Sequence, residues 1–235
     1  MSKNAINFGM INTIIRSDAP VTLVGGGRAG AEDLRAALDL APRLVAADSG
    51  AALALAAGHL PEAVIGDFDS ITDADKARLP PYRLFHIAEQ DSTDFEKALS
   101  RIAAPLVLAV GFLGARVDHQ LAALNVLVRQ AAPRCILIGE YEVIFHLPAS
   151  VHLDLQPGDV VSLFPLAPVT GRSSGLEWPI DGLELAPQGR VGTSNRALGP
   201  VSIDTDGPGL LALLPRARLH QAIDALTALP DAAVS

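Results

Sequence analysis

Val21-Thr22-Leu23-Val24-Gly25-Gly26-Gly27-Arg28-Ala29-Gly30 is an apolar run that breaks into a glycine-rich turn and opens a stretch of helical period, Ala31–Leu40. A short strand feeding a helix through a tight turn is the first half of a βαβ unit. The alternation continues outward: Leu44–Ala47 then Ala51–Ala57, Ala63–Ile65, Tyr82–His86, a helix over Asp94–Ile102, Leu106–Val110, a helix over Asp118–Gln130, and Cys135–Ile138. Strands alternating with helices predict an α/β fold, with a mostly parallel, Rossmann-like sheet covered on both faces in three layers over residues 1–139. Ligands of such sheets gather beyond the carboxyl ends of the strands.

After Gly139 the texture changes. Val143–Leu147, Val151–Leu155, Val160–Pro165, Leu183–Leu185, Val201–Asp204 and Leu210–Leu214 read as strands separated by clusters such as Gln156-Pro157-Gly158-Asp159. This pattern predicts an antiparallel β-sandwich over residues 140–235, with the boundary near Gly139–Glu142 and a short helix over Leu219–Leu229.

Composition bounds the rest. The chain has 235 residues, 49% hydrophobic and 19% charged, which suits one large domain or two small ones. A formal net charge of −8 argues against a general nucleic-acid or anionic-membrane binder. The single cysteine, Cys135, forms no internal disulfide and excludes a Cys₄ or Cys₂His₂ zinc site, so a reducing compartment is expected. The longest uncharged stretch near the centre is interrupted by Pro105, Gly111 and Gly114, so no membrane span is expected. Lys3 is followed by apolar residues broken up by Asn4, Asn7 and Asn12, which is not the compact apolar region of a secretory signal. A cytoplasmic protein is the expectation.

Four motifs carry chemistry. Gly25-Gly26-Gly27-Arg28-Ala29-Gly30 fits G-x-G-x-x-G, and Asp48 ends the next strand. That spacing suits either an NAD-binding fingerprint or a turn whose glycines let strand and helix pack closely. In Gly66-Asp67-Phe68-Asp69-Ser70, two aspartates two apart on extended chain point to one side, as a hard-oxygen Mg²⁺ site needs; aspartates after a strand are also ordinary turn residues. In Gln90-Asp91-Ser92-Thr93-Asp94-Phe95-Glu96-Lys97, Thr93 and Glu96 form a capping box, and the surplus carboxylates suit a helix start or a metal. Lys97, one turn in, meets a phosphate or water. Arg116 is able to fork two phosphate oxygens, Asp118 opens the next helix, and His119 follows it.

Asp48, Asp67, Asp69, Asp94 and Asp118 all fall where a strand gives way to a loop or helix, and so share one sheet edge. Five carboxylates on one rim demand cations. Magnesium with a polyphosphate meets that demand, whereas hydride transfer has no need of it. Competing readings are an NAD-linked oxidoreductase, a phosphatase with Asp67 as its nucleophile, and a nucleotide-binding regulator without turnover.

The ordered set Ala47-Asp48-Ser49-Gly50, Gly66-Asp67-Phe68-Asp69-Ser70, Asp91-Ser92-Thr93-Asp94-Phe95-Glu96-Lys97-Ala98-Leu99 and Gly114-Ala115-Arg116-Val117-Asp118-His119 resembles the thiamine pyrophosphokinase family. Ser162-Leu163-Phe164-Pro165-Leu166, Gly175-Leu176-Glu177-Trp178 and Thr193-Ser194-Asn195 follow in the family's order, so the resemblance covers Val21 to Leu214. Where some members carry an Asn soon after the His, the next one here is Asn125. The resemblance implies a homodimer with composite sites that transfers a diphosphoryl group from ATP to the thiamine hydroxyl, with Mg²⁺, and releases AMP.

On that resemblance Asp67, Asp69 and Asp94 hold Mg²⁺, and Gln90, Thr93, Lys97, Arg116 and His119 face ATP and its phosphates. Asp118 or Asp48 accepts the hydroxyl proton. Trp178, Ser194 and Asn195 face thiamine. Trp178 is the only tryptophan; it is either a core anchor of the sandwich or a stacking face for a cationic ligand.

Overall fold

The computed structural model describes residues 12–130 and 132–229. Of the N-terminal residues read above, Lys3, Asn4 and Asn7 lie outside the described residues. In chain order the first half holds β1 (Ile15–Arg16), β2 (Val21–Val24), α1 (Ala31–Leu40), β3 (Arg43–Ala47), α2 (Gly50–Ala56), β4 (Ala63–Gly66) and α3 (Asp73–Ala77). It continues with β5 (Leu84–His86), α4 (Asp94–Leu99), β6 (Ile102–Ala103), β7 (Val107–Val110), α5 (Val117–Arg129) and β8 (Cys135–Ile138). The second half holds β9 (Glu142–His146), β10 (Ser150–Leu153), β11 (Val160–Pro165), β12 (Gly171–Leu176), β13 (Gly192–Thr205), β14 (Leu210–Pro215) and α6 (Leu219–Thr227).

The strands of the first half pair in parallel. β2, β7 and β8 form one set and β3, β4 and β5 another, with β3 packed beside β2. The second half does not begin a detached sheet at Gly139. β9 turns back on β8, and β14 pairs with β9, both antiparallel, so one sheet runs in the order β10-β13-β11-β14-β9-β8-β7-β2. The turn closes through Gly139 N–H, which donates to Glu142 O at 2.8 Å. β13 is long enough to serve several partners: its first residues pair with β11, and its later ones pair with β10 on one side and β12 on the other.

Period-two alternation along the central strands sorts the core. Val24, Leu108, Val110, Ile136, Ile138, Val143 and Phe145 face one side, in a cluster that extends from Leu34 on α1 to Leu163 and Ile203. Val21, Leu23, Val107, Ala109, Cys135, Leu137 and Ile144 face the other side, against Phe95 of α4 and Val126 of α5. Each Val, Leu, Ile or Phe among them contributes roughly 1.5–3 kcal/mol by leaving water. Both clusters draw residues from both halves, the second including Ile144 and Leu211.

Four sequence expectations change. Ile102 ends no helix; it pairs with Ile15 across β1 and β6, and α4 stops at Leu99. Leu183–Leu185 forms no strand, and only Leu185 bridges, to Val169 and Arg190. α3 was not expected, because none of its residues is buried and it carries no apolar stripe. β12, Gly-Arg-Ser-Ser-Gly-Leu, was hidden by its polarity. Among the described residues, no helix is long and apolar enough to cross a membrane.

Candidate active site

β3 and β4 run in register, Ala47 opposite Ile65, so the residues that follow them leave the sheet at one edge. Asp48 comes first, with φ +40, a left-handed conformation that is costly for any residue but glycine. Its carboxylate is buried at 1% exposure. Oδ2 accepts the Ser70 N–H at 3.1 Å, while Oδ1 is buried with no partner among the described residues. Asp94, in the first turn of α4, also has a buried Oδ1 with no hydrogen-bond partner among the described residues. Asp67 completes the group: one oxygen from each of Asp48, Asp67 and Asp94 lies within 4.8 Å of the others.

Three carboxylates this close oppose one another's ionisation. Burial, and then the charges of Asp48 and Asp67, push the Asp94 carboxyl up to about 6. Burial raises Asp48 as well, with Asp69 and Asp67 adding to the effect. Asp67 goes the other way, because Lys97 Nζ donates to its Oδ2 at 2.7 Å. Lys97 also stands 3.7 Å from Asp94 Oδ1, on a side chain only 1% exposed. Burial opposes the ammonium charge, but Asp67, Asp94 and Glu89 outweigh it and raise Lys97. Among three acids this one lysine pairs with Asp67 and Asp94 and offsets a single charge, leaving oxygen acceptors unmet. Buried acceptors of this kind are ordinarily satisfied, and an all-oxygen set fits a hard divalent cation such as Mg²⁺.

Asp69 does not share the side of Asp67 that an extended chain would give it. Phe68 between them takes φ +63 and turns the chain. The exposed Asp69 accepts from the Ser70 hydroxyl at 2.7 Å and stands at the rim of the group, outside the three that converge. Asp48 takes the place that spacing gave to Asp69.

Asp67, Asp94 and Lys97 line a cleft of about 500 Å³. Gln90 lines it and donates to Asp67 Oδ2 at 3.3 Å. Thr93 lines it too, and caps α4 by accepting the Glu96 N–H. The Glu96 carboxylate serves elsewhere, bonding Arg129 at 2.6 Å and tying α4 to α5. Arg116 and His119 line the cleft as well, with Phe112 and Ala115. Asp118 is outside the carboxylate group: it forms a two-pronged, exposed ion pair with Arg116 at 2.6 and 3.1 Å, which holds its carboxyl below the usual range. Lys97, read as a phosphate ligand or a solvated lysine, is instead the buried counter-charge.

The glycine loop is a packing device. A side chain at Gly25 would strike the Phe112 ring and Gly111 O, and one at Gly27 would strike Gly111 O, to which Gly27 N–H donates at 2.7 Å. The Gly30 N–H at the start of α1 is already taken by Asp33 at 2.8 Å, and Asp48 is turned into the acidic group. The amide and the acid that an NAD fingerprint requires are therefore both engaged, which removes the observation behind the oxidoreductase reading.

In the second half, Trp178 is 54% exposed and is not a core anchor. Asn195 is buried and holds the Trp178 backbone from both sides, accepting its N–H at 3.1 Å and donating to its carbonyl at 2.7 Å. Ser194, at φ +61, donates its N–H to Ser162 Oγ at 2.9 Å. Trp178, Ser194 and Asn195 thus gather at one place, but no residue beyond Ala123 is among those lining the acidic cleft.

Two family profiles match the chain in order: "Thiamin pyrophosphokinase, catalytic domain" over residues 34–138, and "Thiamin pyrophosphokinase, vitamin B1 binding domain" over residues 148–210. The chain belongs to the thiamin pyrophosphokinase family. All three converging aspartates lie in the stretch matched as catalytic, and Trp178, Ser194 and Asn195 lie in the stretch matched as vitamin-binding.

Family members resemble the chain at modest identity. Thiamine pyrophosphokinase 2 of Arabidopsis thaliana is 31% identical over 158 residues, covering 58% of each chain. Thiamine pyrophosphokinase 1 of Oryza sativa subsp. japonica is 28% identical over 156 residues, 58% of this chain and 59% of its own. The matched stretch spans less than two thirds of those relatives. The solved structure of thiamin pyrophosphokinase from Candida albicans superposes with a TM-score of 0.72, at 16% identity, over 88% of this chain and 94% of that one. That likeness is one of fold.

Proposed function

We propose that the protein is a cytoplasmic thiamine pyrophosphokinase, a transferase that makes thiamine diphosphate and AMP from thiamine and ATP. The observation that carries this reading is the pair of buried oxygens of Asp48 and Asp94 that lack a hydrogen-bond partner among the described residues, beside Asp67. These three residues, with Asp69 at the rim, would hold Mg²⁺, which when bound offsets the charge of the polyphosphate.

The thiamine hydroxyl oxygen bonds to the β-phosphorus of ATP, the bridge from that phosphorus to the α-phosphate oxygen breaks, and AMP leaves. The protein's part is alignment and charge neutralisation. Gln90 fixes Asp67, Thr93 fixes the start of α4, and Lys97 keeps Asp67 ionised. Arg116 and His119, which line the same cleft, face the phosphates. The two candidate acceptors for the hydroxyl proton are Asp48 and Asp118; Asp118 stands outside the three aspartates that would hold the metal, and Arg116 keeps its carboxyl below the usual range.

We assign residues 1–139 to nucleotide and metal, and residues 140–235, with their second strand layer read as a β-sandwich, to thiamine and dimerisation. The absence of Trp178, Ser194 and Asn195 from the cleft lining supports a homodimer in which one subunit's Trp178, Ser194 and Asn195 complete the other's site. Incubation with thiamine, ATP and Mg²⁺ tests the function. Thiamine-dependent AMP is expected and a chelator stops it, whereas ADP, or turnover indifferent to thiamine, refutes it.

A further inference from the structure

β4 ends at Gly66, immediately before Asp67. Gly66 does not take the left-handed backbone that favours glycine, so its local conformation admits alanine. What excludes a side chain is the site. A Cβ built on Gly66 would stand 2.8 Å from Asp48 Cβ, 3.2 Å from Asp48 Cα and 3.1 Å from Asp94 Oδ1. Carbon pairs ordinarily settle at about 3.5–4.0 Å.

Asp48 is poorly able to retreat. Its N–H is bonded to Ile65 O at 3.0 Å, and the residue before it is locked in register across from Ile65. Gly25, Gly27, Gly50 and Gly111 all make room for backbone or for a ring, but Gly66 makes room for two acidic residues, Asp48 at its Cβ and Cα and Asp94 at its carboxylate.

We propose that Gly66 is a positioning residue: the space left by its missing side chain sets the approach of Asp48 to Asp94, and so the affinity of the acidic group for a divalent cation. This rests on the cation site of the proposed function, but not on the identity of the product. Metal ligands are held in place by such supporting contacts, whose loss typically weakens binding by about 10–100-fold.

The test measures Mn²⁺ binding to the metal-free full chain by titration, without ATP or thiamine, together with melting temperature. Gly66→Ala is expected to weaken Mn²⁺ at least about tenfold. Gly207→Ala is expected to bind as wild type does, because its Cβ meets open space. Gly66→Ala is also expected to lower Tm, and Asp48→Gly, which removes the struck Cβ at a left-handed position, is expected to restore most of that loss in the double variant.

Wild-type-like Mn²⁺ affinity in Gly66→Ala overturns the proposal, as does a wild-type chain that binds no Mn²⁺. A Tm loss from Gly66→Ala that is undiminished in the Asp48→Gly background also overturns it. If Gly66→Ala does not fold, Gly66→Ala with Asp48→Gly should, and failure of both overturns it. A wild-type chain that binds Mn²⁺ but makes no AMP refutes the kinase reading alone.

Discussion

Lys97 donates to Asp67 Oδ2 at 2.7 Å from a side chain that is 1% exposed. A buried pair of this kind is weak evidence of net stabilisation, but removing one partner strands the other, at a cost of about 3–5 kcal/mol. Lys97→Met leaves Asp48, Asp67 and Asp94 with no cation among them. The variant is expected to lose stability on that scale in urea titrations at pH 8, and saturating Mg²⁺ should return part of it. A variant as stable as wild type would show that Lys97 does not balance the group.

Asp94 yields a pH dependence of definite sign. Its folded pKa, about 6, lies above the ordinary 3.8, so the folded state gains from the protonated form. That gain is fully present below about pH 4 and is lost as pH rises through about 6. The shift corresponds to about 3 kcal/mol, and since the side chain is a third exposed, solvent screening reduces it to about 1 kcal/mol. Asp94→Asn, which has no charge to lose, should melt about 2–4 °C above wild type at pH 8 without metal. The advantage should vanish near pH 4. A difference independent of pH would remove Asp94 from the repelling group.

These acids were legible in the sequence as strand-end residues, and the strands and helices that carry them were legible from their apolar periods. Val21–Val24, Cys135–Ile138, Val160–Pro165 and Ala31–Leu40 begin and end where the pattern places them. Which acids converge was not legible. That depends on Phe68, whose left-handed turn separates Asp69 from Asp67, and on Asp48, whose own left-handed turn swings it inward. Lys97 was misread because three-residue spacing on a helix does not reveal burial. A fixed boundary at Gly139 gives no hint that β9 continues the parallel sheet, because strand pairing order is a tertiary fact. The Thr72 cap on Asp75 N–H was a signal for α3 that the absence of an apolar stripe obscured.

Asp48→Asn separates a structural role from a chemical one. The amide keeps the shape and the bond from Ser70 but removes a charged oxygen that has no partner. It is expected to cut kcat by at least about 10²-fold, the scale for losing a major electrostatic contributor, while the protein stays folded by circular dichroism. A folded variant with nearly unchanged kcat would make Asp48 a turn residue.

Trp178 gives the last test, because it separates a site within one chain from a site shared by two. Its indole is exposed, yet its backbone is pinned on both sides by buried Asn195, so an aromatic face is presented in a fixed position where solvent alone would not require one. A cationic thiazolium joined to a flat pyrimidine suits such a face, through an attraction of about 0.5–2 kcal/mol. Thiamine should therefore quench Trp178 fluorescence, and Trp178→Ala should raise KM for thiamine roughly 2–30-fold on that scale, with KM for ATP little changed. Asn195→Ala should raise the same KM with Trp178 in place, since the indole loses its mount. The acidic cleft is lined by none of these residues, so mixing Trp178→Ala with Asp94→Asn, each inactive or impaired alone, should regain activity in hybrid dimers that hold one intact pair of halves. An unchanged thiamine KM in folded Trp178→Ala rules out stacking. Absent complementation, with subunit exchange verified by mass, places both halves of the site on one chain.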